Sequence, residues 1–205
     1  MDKADSIDIG EQVNTDELFG HPKGLYICFA TELWERFSFY GMKYLLLLYL
    51  TKYHLFSDGE GLEVLGAYAG LVYTLPVIGG MLADRYLGMK KSVIFGGLLL
   101  CMGHLLMAVE GHQAVQYAAG TLLTSDITLN NGAVLSAGTL LTETIKIQDL
   151  AALNVFYLAL SLIVVGVGFL KPNISTIVGQ LYSKDDPRRD SGFTIFYMGI
   201  NLGSF

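Results

Sequence analysis

Residues 32–50 read ELWERFSFYGMKYLLLLYL. The run has the apolar body of a membrane helix, yet Glu32, Glu35, Arg36 and Lys43 stand inside it. Each ionised group at the centre of a membrane helix costs about 2.5–3.5 kcal/mol even on the gentler insertion scale. Four uncompensated charges approach ~12 kcal/mol, comparable with the whole stability of a domain. Helix geometry relieves part of this cost: at about 100° per residue, Glu32, Glu35, Arg36, Tyr40 and Lys43 share an arc of roughly 140°. That face must turn toward protein or water. A salt bridge that only locks helices together is the structural alternative. A well-packed apolar replacement is often as stable as a buried ion pair, so keeping the charges points to function.

The rest of the chain agrees with a membrane setting. Of its 205 residues, 52% are hydrophobic and 16% charged, against about 25% charged in soluble domains. The apolar residues come in blocks, with spans expected at about 25–50, 62–83, 92–109, 153–181 and 192–205; ~20 residues cross a hydrocarbon core. The expected fold class is therefore an all-α polytopic membrane protein. Residues 1–24 are acidic and polar, without the basic start and short apolar core of a secretory signal. They read as a cytoplasmic tail in which Thr15, Asp16 and Glu17 cap a short helix. Basic residues set the orientation. Arg85, Lys90 and Lys91 follow the second span and Lys184, Arg188 and Arg189 the fourth, whereas the other loops offer Lys52 and Lys146. The N-terminus and both basic loops are expected in the cytoplasm, and the split basic residues give no reason to expect a nucleic-acid partner. Cys28 and Cys101 fall within spans and read as packing residues, with no metal site or disulfide implied.

Residues 111–150 form a long outer loop in which AGTLLT occurs twice, at Ala119–Thr124 and Ala137–Thr142. Between the copies, loosely alternating apolar residues flank Asn131-Gly132, a hairpin signal. A small β-hairpin-like insert is expected, with a disordered polar loop as the alternative. The chain stops at NLGSF, partway along the fifth span. It is therefore expected to be the front of a longer protein and unable to transport alone. A second charge lies in GFLKPN, 168–173. Lys171 follows an apolar run and precedes Pro172, which bends a helix and frees a carbonyl one turn earlier. A lysine at a span's edge usually snorkels, but ISTIVGQLY prolongs the helix and places Lys171 well inside.

Glu32-Leu-Trp-Glu35-Arg36-Phe37-Ser38-Phe39-Tyr40-Gly41 resembles the ExxERFxYYG motif of the proton-dependent oligopeptide transporters of the major facilitator superfamily. Gly79-Gly80-Met-Leu-Ala-Asp84-Arg85-Tyr-Leu-Gly88 with Lys90 and Lys91 is similar to that family's GGxxADxxLGxxK loop. Residues 185–190 and 193–205 resemble its next loop and fifth span. The resemblance covers 25–205 apart from the 111–150 insert. It implies a major facilitator fold of two rocking six-helix bundles, this chain supplying a truncated N-terminal one and requiring the missing C-terminal bundle as partner. It further implies a proton-coupled symporter importing di- and tripeptides across the plasma or inner membrane. Glu32, Glu35, Arg36 and Lys171 would couple protons, and Arg36, Tyr40, Lys43, Tyr73, Lys171 and Asn201 would line the peptide pocket. Asp84, Arg85, Lys90 and Lys91 would set topology or pair at a gate. Small peptides and the bilayer are the implied partners, with protons as coupling ion, no other cofactor, and no enzyme activity.

Three departures and two alternatives accompany this. Phe39 replaces a family tyrosine and removes a hydroxyl that could serve a substrate. Lys43 replaces a common arginine, giving a point charge in place of a planar fork. Gly66 stands where some relatives have a histidine, so coupling should rest on carboxylates; His104 in span three reads as packing or a helix contact. Gly66, Gly70, Gly79 and Gly80 are expected to allow close helix packing. Transport of another anion (nitrate or an amino-acid conjugate) and a non-transporting membrane receptor are the alternative functions.

Overall fold

A computed structural model describes residues 16–205. Five long helices carry the chain: α1 (Lys23–Leu48), α2 (Asp58–Leu82), α3 (Met89–Met107), α4 (Leu150–Gln180) and α5 (Arg189–Gly203). Single π turns, Tyr49–Tyr53 and Ala83–Leu87, extend α1 and α2. Among the described residues, three stretches are long and apolar enough to cross a membrane: Asp58–Leu87, Met89–Met107 and Leu150–Gln180. The 26-residue α1 has the length, but its charges remove it from that set; α5 has 15 residues.

Helix α4 is the hub, packed most extensively on α3 and then on α2, while α5 packs on α1. One half of α4 (Phe156, Leu160, Ile163, Val164, Val167) buries against Phe39, Leu46 and Leu50 of α1 and Tyr68 and Val72 of α2. Its other half (Leu170, Ile174, Val178) buries against Leu25 and Cys28 of α1 and Phe196 of α5. Small residues permit these crossings. A Cβ on Gly79 would lie 2.1 Å from the Gly168 carbonyl oxygen, and one on Gly96 2.6 Å from that of Gly166. Pro172, four residues after Gly168, cannot donate to that carbonyl, and α4 nonetheless continues through it to Gln180. The glycine expectation holds at Gly79 and for contact at Gly80; at Gly66 and Gly70 a Cβ would meet nothing within 4 Å among the described residues. Both are on the exposed side of α2.

The short helix expected near Glu17 is also corrected. Residues 17–22 form a two-stranded hairpin, β1 (Glu17–Leu18) against β2 (His21–Pro22), and Thr15 lies outside the described residues. The hairpin is held to the α4–α5 loop. Arg188 binds Glu17 at 3.0 Å, Asp186 at 2.9 Å and the Gly20 carbonyl at 3.0 Å, and His21 bonds Tyr182 at 2.8 Å.

The insert contains two antiparallel pairs: β3 (Val115–Tyr117) with β6 (Ile145–Ile147), and within it β4 (Ile127–Thr128) with β5 (Val134–Leu135), turning at Asn131-Gly132. The two AGTLLT copies bind each other reciprocally. Gly120 N–H donates to the Leu141 carbonyl and Gly138 N–H to that of Leu123, both at 2.7 Å. Leu123 N–H donates to Thr139 and Leu141 N–H to Thr121, both at 3.0 Å. A local two-fold relation thus explains the repeat. Gly120 and Gly138 have φ of +84° and +85°, which only glycine adopts cheaply. Leu123, Ile127 and Leu141 make a small core. At the base, Asp149 caps α4 by accepting from Ala152 N–H at 3.0 Å, and its other oxygen accepts from the His112 backbone at 3.1 Å.

Candidate functional site

Helix α1 brings its carboxylates and guanidinium to one buried place. Glu32, Glu35 and Arg36 are 3%, 8% and 5% exposed. Arg36 presents Nε and one terminal nitrogen to the two oxygens of Glu35, a bidentate pair. Its Nε also lies 3.5 Å from Glu32 Oε1, one helical turn back. The second oxygen of Glu32 is buried with no hydrogen-bond partner among the described residues. Phe39 lies under the guanidinium, 5.0 Å from ring centre to Cζ, and so supplies a cation–π floor. At 3% exposure Phe39 is core, so its missing hydroxyl faces packed side chains: Tyr68 stacks on it and Tyr40 and Tyr73 meet it edge-on.

Lys171 lies inside α4, half-buried, within electrostatic reach of Glu32, Glu35 and Arg36. The close crossing of α2 and α4 at Gly79 and Gly168 brings it over the Tyr73 ring, 5.3 Å from its centre. No carboxylate of the described residues pairs with it directly. The ionisable groups here are therefore two carboxylates beside Arg36 and Lys171, with Lys43 half-buried farther along α1. Tyr40 lies within electrostatic reach of Arg36.

Other expected residues lie apart from this cluster. Asn201 is exposed on α5 and donates to the Tyr197 carbonyl of its own helix at 2.9 Å; an amide one turn along satisfies itself locally. Asn201 makes no interhelical hydrogen bond among the described residues, and Gly203 packs on the Leu33 backbone of α1. Asp84, Arg85, Lys90 and Lys91 are all exposed and make no ion pair among the described residues; Arg85 lies over the Tyr86 ring at 5.4 Å. Cys28 is buried as expected of a packing residue, but Cys101 is exposed.

Sequence reading leaves Tyr68 and Ser38 out of the site and expects of His104 packing or a helix contact, the second of which the structure shows. Tyr68, 3% exposed with an unpartnered hydroxyl, lines a cleft of about 370 Å³ together with Glu35, Ser38 and His104. Ser38 and His104 are hydrogen-bonded across α1 and α3. The available signal was the histidine itself, a polar ring in an apolar helix that needs a partner.

A bundle of long helices, three stretches of it apolar enough to span a membrane, with a charge cluster inside is the architecture of a polytopic membrane protein. Residues 90–205 match the model of the POT family, and the chain belongs to it. It is 38% identical over 99% of its length to an uncharacterized transporter of Bacillus subtilis (strain 168), covering 34% of that protein. It is 38% identical over 91% of its length to the di-/tripeptide transporter of Lactococcus lactis subsp. lactis (strain IL1403), covering 31% of it. A solved peptide transporter POT in complex with sulfate superposes with a TM-score of 0.70 and 37% identity, over 92% of this chain and 31% of that one. Another, in complex with alafosfalin, gives 0.69 and 39% over the same share of this chain and 32% of that one. The chain thus has the POT, major-facilitator-like architecture and spans about a third of the length of these relatives.

Proposed function

We propose that this chain forms part of a proton-coupled symporter that imports di- and tripeptides by alternating access. The observation that carries the reading is the buried Glu32–Glu35–Arg36 cluster of α1 with Lys171 of α4 beside it. Two relatives bear the names di-/tripeptide transporter and dipeptide and tripeptide permease. In this reading the basic loops and the N-terminus face the cytoplasm of a cell bounded by the plasma or inner membrane, and the chain works with a second helical bundle.

The chemistry follows from charge balance. With Lys43 counted, three cations face two carboxylates, so a substrate carboxylate is an attractive guest for Lys171, Lys43 and Arg36. Arg36 is engaged by Glu35 in the described state. Protonating Glu35 releases the guanidinium, which can then hold the substrate's C-terminus. Proton and peptide become linked ligands, each favouring the other. Burial and a nearby cation act in opposite senses on any carboxylate's hold on its proton. A pair that opens on one side of the membrane and closes on the other therefore takes up and releases one proton per cycle. Tyr40 and Tyr73 supply ring faces and hydroxyls to the peptide, with Asn201 approaching from α5. The exposed Asp84, Arg85, Lys90 and Lys91 act on orientation and on loop contacts at the inner side.

The test is uptake of a labelled dipeptide into proteoliposomes of the full-length protein, with and without an inward proton gradient. The reading expects accumulation only with the gradient. Glu35→Gln should abolish it while leaving exchange of peptide down its own gradient. Undiminished proton-driven accumulation by that variant would falsify the coupling role. A second reading, transport of another small anion, is favoured by the sulfate carried by a structural neighbour. Competition of dipeptide uptake by excess inorganic anion separates the two.

A further inference from the structure

The polar groups of α1 do not end at the charge cluster. Ser38 stands one turn beyond Glu35 and is hydrogen-bonded to Nε2 of His104, on α3. The other imidazole nitrogen, Nδ1, is 2.7 Å from the Leu100 carbonyl oxygen. A carbonyl can only accept, so Nδ1 carries the ring hydrogen and Nε2 is the bare nitrogen of the neutral ring. While the ring is neutral, Ser38 therefore donates to His104.

Two clefts meet at this pair. The first, about 370 Å³, runs toward the charge cluster and is lined by Glu35 and Tyr68 as well as Ser38 and His104. The second, about 470 Å³, runs the other way along the α1–α3 seam to the exposed Glu110 just past α3. Ser38 and His104 line both. The walls are otherwise mainly apolar, so these side chains are a polar thread between a surface carboxylate and a buried one. The titratable neighbours are Glu35 and Tyr49 on the α1 side, Tyr68 of α2, and Cys101 and Glu110 on the α3 side. Helix α4 contributes only Phe156, Ile163, Val167 and Leu170 to the two clefts. The buried Tyr68 hydroxyl, without a hydrogen-bond partner among the described residues, gives the inner cleft a polar site beside Glu35.

We propose that His104 is a second protonatable group of the transport cycle, coupled through the Ser38 hydroxyl to the Glu35–Arg36 pair and reached along the α1–α3 seam. The proposal rests on the symport reading above. One proton arriving along the outer cleft binds Nε2 and makes the imidazolium. Nε2 then becomes a donor, so the Ser38 oxygen must turn from donating to accepting. Its hydrogen is freed toward the Glu35 carboxylate, three residues back on the same helix face. That new bond competes with Arg36 for Glu35 and loosens the pair. Loss of the proton reverses each step. His104 is thus a positioning residue that acts through Ser38 on the group proposed to bind the coupling proton.

The experiment uses the full-length protein in lipid nanodiscs and proteoliposomes. Nitrogen NMR of the histidine rings follows His104 as pH is varied, in wild type, Glu35→Gln and Ser38→Ala. The proposal expects the His104 midpoint to move by about half a pH unit or more in both variants. Midpoints equal to wild type overturn it. In transport, His104→Gln should flatten the rise of dipeptide uptake on acidification, Ser38→Ala should reproduce that, and Ser38→Thr, which keeps the hydroxyl, should restore the wild-type profile. A wild-type profile in His104→Gln, or equal behaviour of the Ala and Thr variants, also overturns it. If Glu35→Gln leaves proton-driven uptake intact, the symport reading fails; the NMR coupling still reports independently on the His104–Glu35 link.

Discussion

The charge cluster of α1 and the insert between α3 and α4 are both polar interruptions of an apolar chain, and they are built on opposite rules. In the cluster, Glu32, Glu35 and Arg36 are withdrawn from solvent, and charged side chains pair with one another, one oxygen of Glu32 excepted. In the insert, backbone groups satisfy one another across the two AGTLLT copies, and most side chains remain exposed. Polar groups inside the bundle carry a desolvation cost that packing alone does not require. The polar groups of the insert carry almost none. Charge within a span therefore points to chemistry, and repetition outside one points to architecture.

The comparison is broken most severely by removing a buried charge. Arg36→Met leaves Glu35 and Glu32 buried without their paired guanidinium, at a cost of about 3–5 kcal/mol. It should lower the thermal unfolding temperature in detergent far more than Arg85→Met in the exposed turn that ends α2. Equal effects would mean that the cluster is solvated. Backbone approach comes next. Gly79→Ala forces a Cβ against the Gly168 carbonyl and should cost about 1–3 kcal/mol. Gly66→Ala, in open space on the same helix, should stabilise by about 0.5–1 kcal/mol. Thermal melts of the two variants should therefore shift in opposite directions.

Within the insert, Gly120→Ala and Gly138→Ala should each cost about 1–2 kcal/mol because both residues are left-handed. Their effects should match, as the local two-fold relation requires; hydrogen exchange at Leu123 and Leu141 reads this directly. The smallest effect concerns Asp149, outside the bundle. Its bonds from the Ala152 and His112 backbones and from the His112 ring hold its pKa at about 2, below the ordinary 3.8. A depressed carboxylate stabilises the fold above its unfolded value, and that contribution is lost as pH falls toward the folded one. Exchange protection at Ala152 should hold from neutral pH to about 4 and decline toward about 2. Asp149→Asn should lower it already at neutral pH and flatten the decline.

Much of this was legible in the chain. The shared helical face of Glu32, Glu35 and Arg36 follows from spacing alone, and Asn131-Gly132 announces its turn. The mutual pairing of the AGTLLT copies was not legible, because two similar segments fit parallel stacking, separate hairpins or reciprocal pairing equally well. The glycines divide for a related reason: Gly66 and Gly79 are alike in sequence, and only the α2–α4 crossing point distinguishes them. Ser38 and His104 stand sixty-six residues apart, and such a pair is fixed by where α3, packed on α4, is set relative to α1. Asn201 was assigned to the pocket by family resemblance, whereas local geometry lets its amide bond one turn back along α5. The hairpin at 17–22 escaped because its stabilising partners, Arg188 and Tyr182, come from the far end of the chain.

The claim at the centre is that a carboxylate withdrawn into the bundle trades its cation for a proton when a peptide arrives. Calorimetric binding of a dipeptide to the full-length protein, repeated in buffers of different ionisation enthalpy, counts the protons exchanged on binding. Net uptake of protons by the wild type, abolished in Glu35→Gln, is the predicted result; binding with the same proton count in both proteins would contradict it.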